Sequence, residues 1–512
     1  MTKQDIFKAQ VKEGYTFKGE AIELGGTMYE GEVLTGSKVS IPLKTMNRHG
    51  LIAGATGSGK TKTLQILAEQ LSAKGVPVLL MDIKGDLSGI AEKGDENDKL
   101  YERAVKIDIP YIPSRNPVEF LTLSEEKGAR LRATVTEFGP VLFSKILGLN
   151  DTQGSVMSVV FKYCDDKGLP LLDLADIKKV LNYFVNEGKD ELKADYGNIS
   201  PMTTGTILRK VIELEQQGAT AFFGERSFEV EDLCRLDDND KGIISIIRLT
   251  DIQDRPMLFS SFMLQLLAEI YATFPEAGDI AKPKLCVFID EAHLVFNEAS
   301  KALLNQIESI IKLIRSKGVG VYFCTQNPQD IPDAVLSQLG MKMQHALRAF
   351  TAKDRQNIRL VSQNYPLTEF YNVENLLTQL GIGEALVTVL NEKGIPTPLV
   401  HTMLRPPHSR MDVLTDDEID EIVSNSKIAD KYNEIINRES AFEILTEKLN
   451  QATESQPQQS PSPSSSKQKE EPTFVEKAMK NPFVKQAGSQ IVRELTRGLL
   501  GVLGLGGKKK LW

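Results

Sequence analysis

The chain has 512 residues, with 61 Lys and Arg against 69 Asp and Glu, 41% apolar and 25% charged residues, and a formal net charge of −8. At roughly 100–200 residues per domain, this length suits about three domains or one large enzyme core with insertions, and it excludes a small disulfide scaffold or a one-module adaptor. The composition is that of a soluble globular chain rather than a fibrous, disordered or multi-span membrane one, and the acidic balance excludes a surface coated in basic groups for nucleic acid, although a local basic channel stays open.

Four cysteines, Cys164, Cys234, Cys286 and Cys324, fall in no C-x-x-C pair, so neither a zinc site nor a disulfide framework is expected. The opening Met1-Thr2-Lys3-Gln4-Asp5-Ile6-Phe7 carries charge where a secretory leader needs an unbroken apolar stretch. Both features predict a cytoplasmic chain.

Residues 1–45 alternate Gly, Val, Ile and Thr in short runs, as in Gly31-Glu32-Val33-Leu34-Thr35-Gly36, and predict a small β module. The pattern then switches to strands alternating with amphipathic helices: a strand at His49–Ala53, a helix at Lys60–Lys74 and a strand at Val76–Met81. That alternation is the mark of a mostly parallel sheet with helices on both faces. This first part of an α/β core spans 46–94. Helix-like segments dominate 95–231, for example Ala175–Phe184, and predict a mainly helical insertion. The core resumes over 232–405, with strands at Ile243–Ile247, Leu285–Ile289, Val319–Cys324 and Ala385–Leu390, a helix through Leu258–Tyr271, and another over Ser300–Lys317. In that last helix Leu303, Leu304, Ile307, Ile310, Ile311 and Ile314 share a face. A helical extension is expected over 406–452. Residues 453–472 hold no apolar side chain besides proline and predict a flexible linker. The tail, 473–512, carries eight Lys and Arg against two Glu, a balance of +6 that leaves −14 for the rest. Its apolar run Leu499–Leu505 is far short of the ~20 residues that span a bilayer.

The segment Gly54-Ala55-Thr56-Gly57-Ser58-Gly59-Lys60-Thr61 matches G-x-x-x-x-G-K-[ST] between an apolar strand and an amphipathic helix. Glycines let backbone N–H groups wrap a β-phosphate at the helix N-terminus, Lys60 neutralises β- and γ-phosphate oxygens, and the Thr61 hydroxyl completes a Mg²⁺ shell. The expected ATP-binding set is therefore Gly54, Ala55, Thr56, Gly57, Ser58, Gly59, Lys60, Thr61 and Lys62. A second motif, Leu285-Cys286-Val287-Phe288-Ile289-Asp290-Glu291-Ala292-His293, delivers two carboxylates at the end of a buried strand, where ligands of open α/β sheets bind. Asp290 is expected to hold Mg²⁺ through water and Glu291 to polarise the attacking water. His293 either joins the site or caps and packs.

The strand Val319–Cys324 ends in Thr325-Gln326-Asn327, and Gln326 is expected either to hydrogen-bond the nucleophilic water or to serve the turn before Pro328. Arginines commonly supply transition-state charge, often from a neighbouring subunit. Arg348 and Arg355 lie just beyond the Gln326 strand, and either is a candidate finger. In Met81-Asp82-Ile83-Lys84-Gly85-Asp86, Asp82 either orients water or ligand or caps the turn. The strand at Ile243–Ile247, lying in sequence between the phosphate loop and Asp290, points with Glu291 to the additional-strand, catalytic-glutamate class of motor ATPases.

Arg48-His49 before the phosphate loop, the Asp82–Asp86 turn, Asp290-Glu291-Ala292-His293 and the strand-end Gln326 together resemble the HerA/FtsK superfamily of hexameric ATPases and, more narrowly, the bacterial HerA-like proteins of the YjgR type. The resemblance covers residues 1–405. It implies a RecA-like P-loop core behind an N-terminal β-barrel, and a homohexameric ring with ATP between subunits that translocates double-stranded DNA with helicase-type activity. The alternative from another class is a nucleotide-gated assembly or scaffold protein whose tail binds a protein or an anionic membrane. A small-molecule kinase is disfavoured by Glu291 and by the absence of a recognisable lid.

Overall fold

The structure is a computed structural model and describes residues 2–454 apart from 253, 254, 297–300, 435 and 437. The basic tail and all but the first residues of the expected linker lie outside the described residues. The described residues divide into two compact units, one of 2–130, 229–296 and 304–433, the other of 131–228, 301–303 and 434–454.

The first unit opens with α1 (Lys3–Gly14), β1 (Ala21–Tyr29), β2 (Glu32–Pro42), β3 (Gly50–Ala53), α2 (Lys60–Ala73), β4 (Val78–Asp82), α3 (Asp98–Ile107), β5 (Val118–Thr122) and β6 (Ala129–Arg130). The second unit contributes α4 (Val135–Ile146), α5 (Asp151–Lys167), α6 (Leu174–Val185), α7 (Lys189–Asp195) and α8 (Pro201–Gln216). The chain then adds β7 (Ile244–Arg248), α9 (Pro256–Thr273), β8 (Leu285–Ile289), α10 (His293–Phe296), α11 (Lys301–Ile314), β9 (Val319–Thr325), α12 (Asp333–Leu336) and β10 (Met341–Gln344). It continues through α13 (Ala352–Ser362), α14 (Val373–Gln379), β11 (Glu384–Thr388), β12 (Val400–Leu404), α15 (Asp416–Ser424) and α16 (Lys427–Asn433), and α17 (Ala441–Glu454) returns to the second unit.

Among the described residues the strands form one 12-stranded sheet in the order β2-β1-β12-β11-β10-β3-β9-β8-β4-β7-β5-β6. Every pairing from β10 to β6 is parallel, and every pairing from β10 back to β2 is antiparallel. The expected α/β class with a mostly parallel sheet is what the chain adopts. Strands β3, β4, β8 and β9 are buried along their whole length, which is why they read as unbroken apolar runs such as Leu285-Cys286-Val287-Phe288-Ile289 rather than as alternating patterns. Ile307, Ile310, Ile311 and Ile314 of α11 are buried, as their shared face implies.

One sequence reading changes, and chain order parts from spatial order at a second point. Residues 1–45 do not close on themselves as a barrel. They form a helix, whose Thr2 and Asp5 make a reciprocal capping box, and a hairpin in which β1 pairs with β12, Gly25 opposite Leu404. The hairpin thus extends the main sheet, and Phe7, Val11, Ile22 and Leu24 are buried in the same core as Leu64 and Leu67 of α2. The strand at 243–247, which lies in sequence between the phosphate loop and Asp290, does not lie between their strands in space. In space β9 lies between β3 and β8, while β7 lies beyond β4.

In the helical unit, Phe138 meets Phe222 edge-on at 6.0 Å and Phe143 meets Phe223 at 5.9 Å. The Ser440 hydroxyl donates to Asp176 at 2.5 Å, tying the start of α17 to α6. Residues 98–130, expected to be part of this insertion, instead contribute α3, β5 and β6 to the sheet-bearing unit.

Candidate nucleotide site

Five adjacent parallel strands end at one edge of the sheet, and each delivers a polar segment there. The loop after β3 turns into α2 through backbone that only glycine adopts without strain. Gly54 has φ +154° with His345 so close that a Cβ would meet its Cβ at 2.5 Å, and Gly59, the N-cap of α2, has φ +110°. The carbonyl of Ala55 gathers the Ser58 N–H (3.2 Å), the Ser58 hydroxyl (2.7 Å) and the Lys60 ammonium (3.2 Å). This folds the loop into a cradle at a helix N-terminus, where Lys60, Thr61 and Lys62 have no intrahelical acceptor for their N–H groups. Lys60 is 6% exposed. The Lys62 ammonium is drawn away to the Met411 carbonyl, so its side chain is not aimed into the cradle.

Register places the remaining groups. Thr325 lies opposite Ala53, and Phe323 opposite Ile289. Gln326, exposed just past the end of β9, therefore leaves the sheet between the phosphate loop and Asp290. Asp290 and Glu291 are 2% and 4% exposed. Glu291 has φ +45°, an unfavourable left-handed conformation for a residue with a side chain, of the kind that persists where surrounding structure enforces it. Here the Ala292 N–H bonds to the Cys324 carbonyl (2.9 Å) and the Leu294 N–H to the Glu291 carbonyl (2.9 Å), fixing the backbone that follows it. Burial, and then the Glu291 charge, push the Asp290 carboxyl above its ordinary range.

The turn after β4 closes the site. Asp82 accepts the N–H groups of Gly85 (2.8 Å), Asp86 (3.2 Å) and Leu87 (3.1 Å). It caps the turn, the second of its two sequence readings. Burial raises it to about 7 against those hydrogen bonds. Asp86 accepts the Thr61 hydroxyl at 3.1 Å, and the Lys84 ammonium pairs with Glu291 Oε1. His293 sits beside the same carboxylate, its Nδ1 3.2 Å from Oε2.

Asp86 Oδ1 and Asp290 Oδ2 are buried without a hydrogen-bond partner. Such carboxylate oxygens are costly unless a cation or its water answers them, and they stand on the segments that follow the neighbouring strands β4 and β8. Among the described residues no group of three or more His, Cys, Asp or Glu could hold a metal ion by itself.

Arg348 and Arg355 are exposed and have no ion-pair partner among the described residues. Arg348 lies two residues past Ala346, whose carbonyl accepts the Ala55 N–H at 2.8 Å, and Arg355 lies on α13. His345 escaped the sequence reading. It is fully buried, its Nε2 is 2.9 Å from the Thr63 hydroxyl, and burial together with the Lys60 charge lowers it to about 4. Its partners are remote in sequence, so no local pattern marks it. Lys84 and Asp86 stood inside a recognised turn, but nothing in the spacing says what they touch.

A family model described as helicase HerA-like C-terminal matches residues 29–510. The chain belongs to that family. It is 24% identical over 389 residues to the DNA double-strand break repair helicase HerA of Sulfurisphaera tokodaii, covering 71% of this chain and 66% of that protein. It is 23% identical over 376 residues to the helicase of the same name from Saccharolobus solfataricus, covering 70% and 66%. This HerA-like chain thus spans just under two thirds of the length of either relative. It is also 24% identical over 368 residues to the DNA import protein CedB of Sulfolobus acidocaldarius, covering 70% of this chain and 52% of CedB. In structure it is similar to the unbound bacterial conjugative coupling protein TrwBdeltaN70, at 14% identity and a TM-score of 0.50, covering 80% and 95% of the two chains. That likeness bears on the fold alone.

Proposed function

We propose that this chain hydrolyses ATP with Mg²⁺ as a ring-forming motor, a homohexamer acting on double-stranded DNA in the cytoplasm. The observation that carries the reading is the arrangement of the sheet edge: phosphate loop on β3, acid pair on β8, and β9 with Gln326 between them. A kinase needs no base for water. Here a buried carboxylate stands one strand away from the phosphate cradle.

In this reading Lys60 and the loop N–H groups bind the β- and γ-phosphates, and Gln326 orients water. The water oxygen bonds to the γ-phosphorus as the bond to the β,γ-bridging oxygen breaks, and the water proton passes to Glu291, leaving ADP and phosphate. Mg²⁺, when bound through Thr61 and by water to Asp290, neutralises phosphate charge. The orphaned oxygens of Asp86 and Asp290 support that placement. Arg348 or Arg355 of a neighbouring subunit supplies the remaining positive charge.

Duplex DNA as the polymer is supported by relatives named for double-strand break repair and DNA import. The −14 balance outside the tail supports a second reading, a nucleotide-gated assembly protein that attaches through its +6 tail to a protein or an anionic membrane and does no work on DNA. Among the described residues no helix is long and apolar enough to cross a membrane. ATP turnover with and without duplex DNA, on protein whose oligomeric mass is measured in the same buffer, separates the two. The motor gives DNA-stimulated turnover from a hexamer; the assembly protein gives turnover indifferent to DNA.

A further inference from the structure

The turn between Asp82 and Leu87 touches both the residue expected to meet Mg²⁺ and the residue expected to activate water. Through Asp86 it accepts the Thr61 hydroxyl at 3.1 Å, and through Lys84 it reaches Glu291. The turn itself is fixed, because three of its N–H groups converge on the buried Asp82 carboxylate. What can move is the Lys84 side chain, which is 38% exposed, whereas the Glu291 side chain that it meets is 6% exposed.

An ammonium paired with Glu291 offsets the charge that would draw a proton from water. It also lies beside the place of the γ-phosphate, since the water attacking that phosphate must touch Glu291. A diphosphate stops one group short of this position. A triphosphate brings anionic oxygens there, and a lysine, with a flexible stem and three rotatable donors, can exchange one anion for another without disturbing the backbone.

We propose that Lys84 is the residue by which this site distinguishes triphosphate from diphosphate: its ammonium holds Glu291 in the nucleotide-free protein and transfers to the γ-phosphate when the triphosphate binds, freeing the carboxylate for water. The proposal rests on the hydrolytic reading of Glu291 given above.

The test uses the full chain and measures affinity for ADP and for a non-hydrolysable ATP analogue in the wild type, Lys84→Met and Lys84→Arg. Loss of one charge-assisted contact predicts that Lys84→Met lowers the preference for the triphosphate by ~10-fold or more while leaving ADP affinity within about two-fold. Lys84→Arg, which keeps the charge, should retain most of the preference. An unchanged preference in Lys84→Met overturns the proposal. So does an equal loss of both affinities, which would make Lys84 a support of the site rather than a reader of the γ-phosphate.

Phosphate release by Glu291→Gln, measured alongside, keeps the two ideas apart. Wild-type release there defeats the hydrolytic reading whatever Lys84 does. An inactive Glu291→Gln together with an unchanged preference in Lys84→Met defeats this inference alone.

Discussion

Glu69 lies on α2, the helix that begins in the phosphate loop, and is 4% exposed. Its carboxylate accepts the N–H groups of His408 (2.9 Å) and Ser409 (3.1 Å) and the Ser409 hydroxyl (2.9 Å), so the segment after β12 is tied to the nucleotide helix. Burial raises Glu69 from 4.5 to about 7, against those hydrogen bonds and the Arg405 charge. The folded protein therefore holds a proton that the unfolded chain gives up. The stability this contributes is full below the unfolded value and is lost as pH rises through the folded one. The stability difference between wild type and Glu69→Gln, from urea unfolding, should shrink by about 3 kcal/mol at most between about pH 4.5 and pH 7. A difference constant with pH would place the carboxylate in the same state in both forms.

At the scale of elements, the integration of the N-terminal hairpin into the sheet can be tested at Gly25. A Cβ there would lie 2.0 Å from the Met403 carbonyl oxygen across the β1–β12 pairing, whereas at Gly36, with φ +71°, nothing stands within 4 Å. Gly25→Ala should cost several kcal/mol of stability, in the range of severe overpacking, and Gly36→Ala only about 1–2 kcal/mol of backbone strain. Equal and small losses in melting temperature would mean that β1 is not held against β12.

The same hairpin marks the limit of what sequence could reveal. The alternation over 21–42 announces strands but not their partner, because β12 is joined to them only through the whole intervening core. Chain order hides the place of the inserted strand for a like reason, since β9 follows β8 in the chain yet inserts between β3 and β8 in space. By contrast the glycine turn into α2 is legible in the sequence, because Gly54, Gly59 and Lys60 are contiguous with it, although Lys62 turns away to the Met411 carbonyl. The place of Asp290 and Glu291 at the end of β8 is legible too, because an unbroken apolar run that ends in two acids marks the end of a buried strand. The Thr2–Asp5 capping box is a local signal of the same kind, its two partners three residues apart. His345, Lys84 and Asp86 gain their roles only from contacts between strand ends.

At the scale of the whole molecule, the described part of the site holds Lys60 and Lys84 as cations near the expected phosphates, while both candidate arginines stand exposed. If a neighbouring subunit completes the site, Arg348→Ala or Arg355→Ala lowers kcat by ~10³-fold or more with nucleotide affinity kept. Only a few-fold loss in both, or full turnover by a dilute monomer, would contradict it. Removing the residues after Glu454 should leave basal turnover unchanged, since every residue placed in the chemistry precedes β12. Abolished turnover in steady-state assays would make the tail part of the motor.

The central claim is that Glu291 activates water for attack on ATP, and phosphate release by Glu291→Gln tests it most directly. The change keeps size and hydrogen-bonding capacity but removes the charge, and positioned acid–base groups contribute typically ~10²–10⁴-fold. Release should fall by that factor while binding of a fluorescent ATP analogue stays near normal. Asp290→Asn should weaken Mg²⁺-dependent binding as well, and Lys60→Ala should impair binding itself. A Glu291→Gln protein that releases phosphate at the wild-type rate would contradict the account at its root.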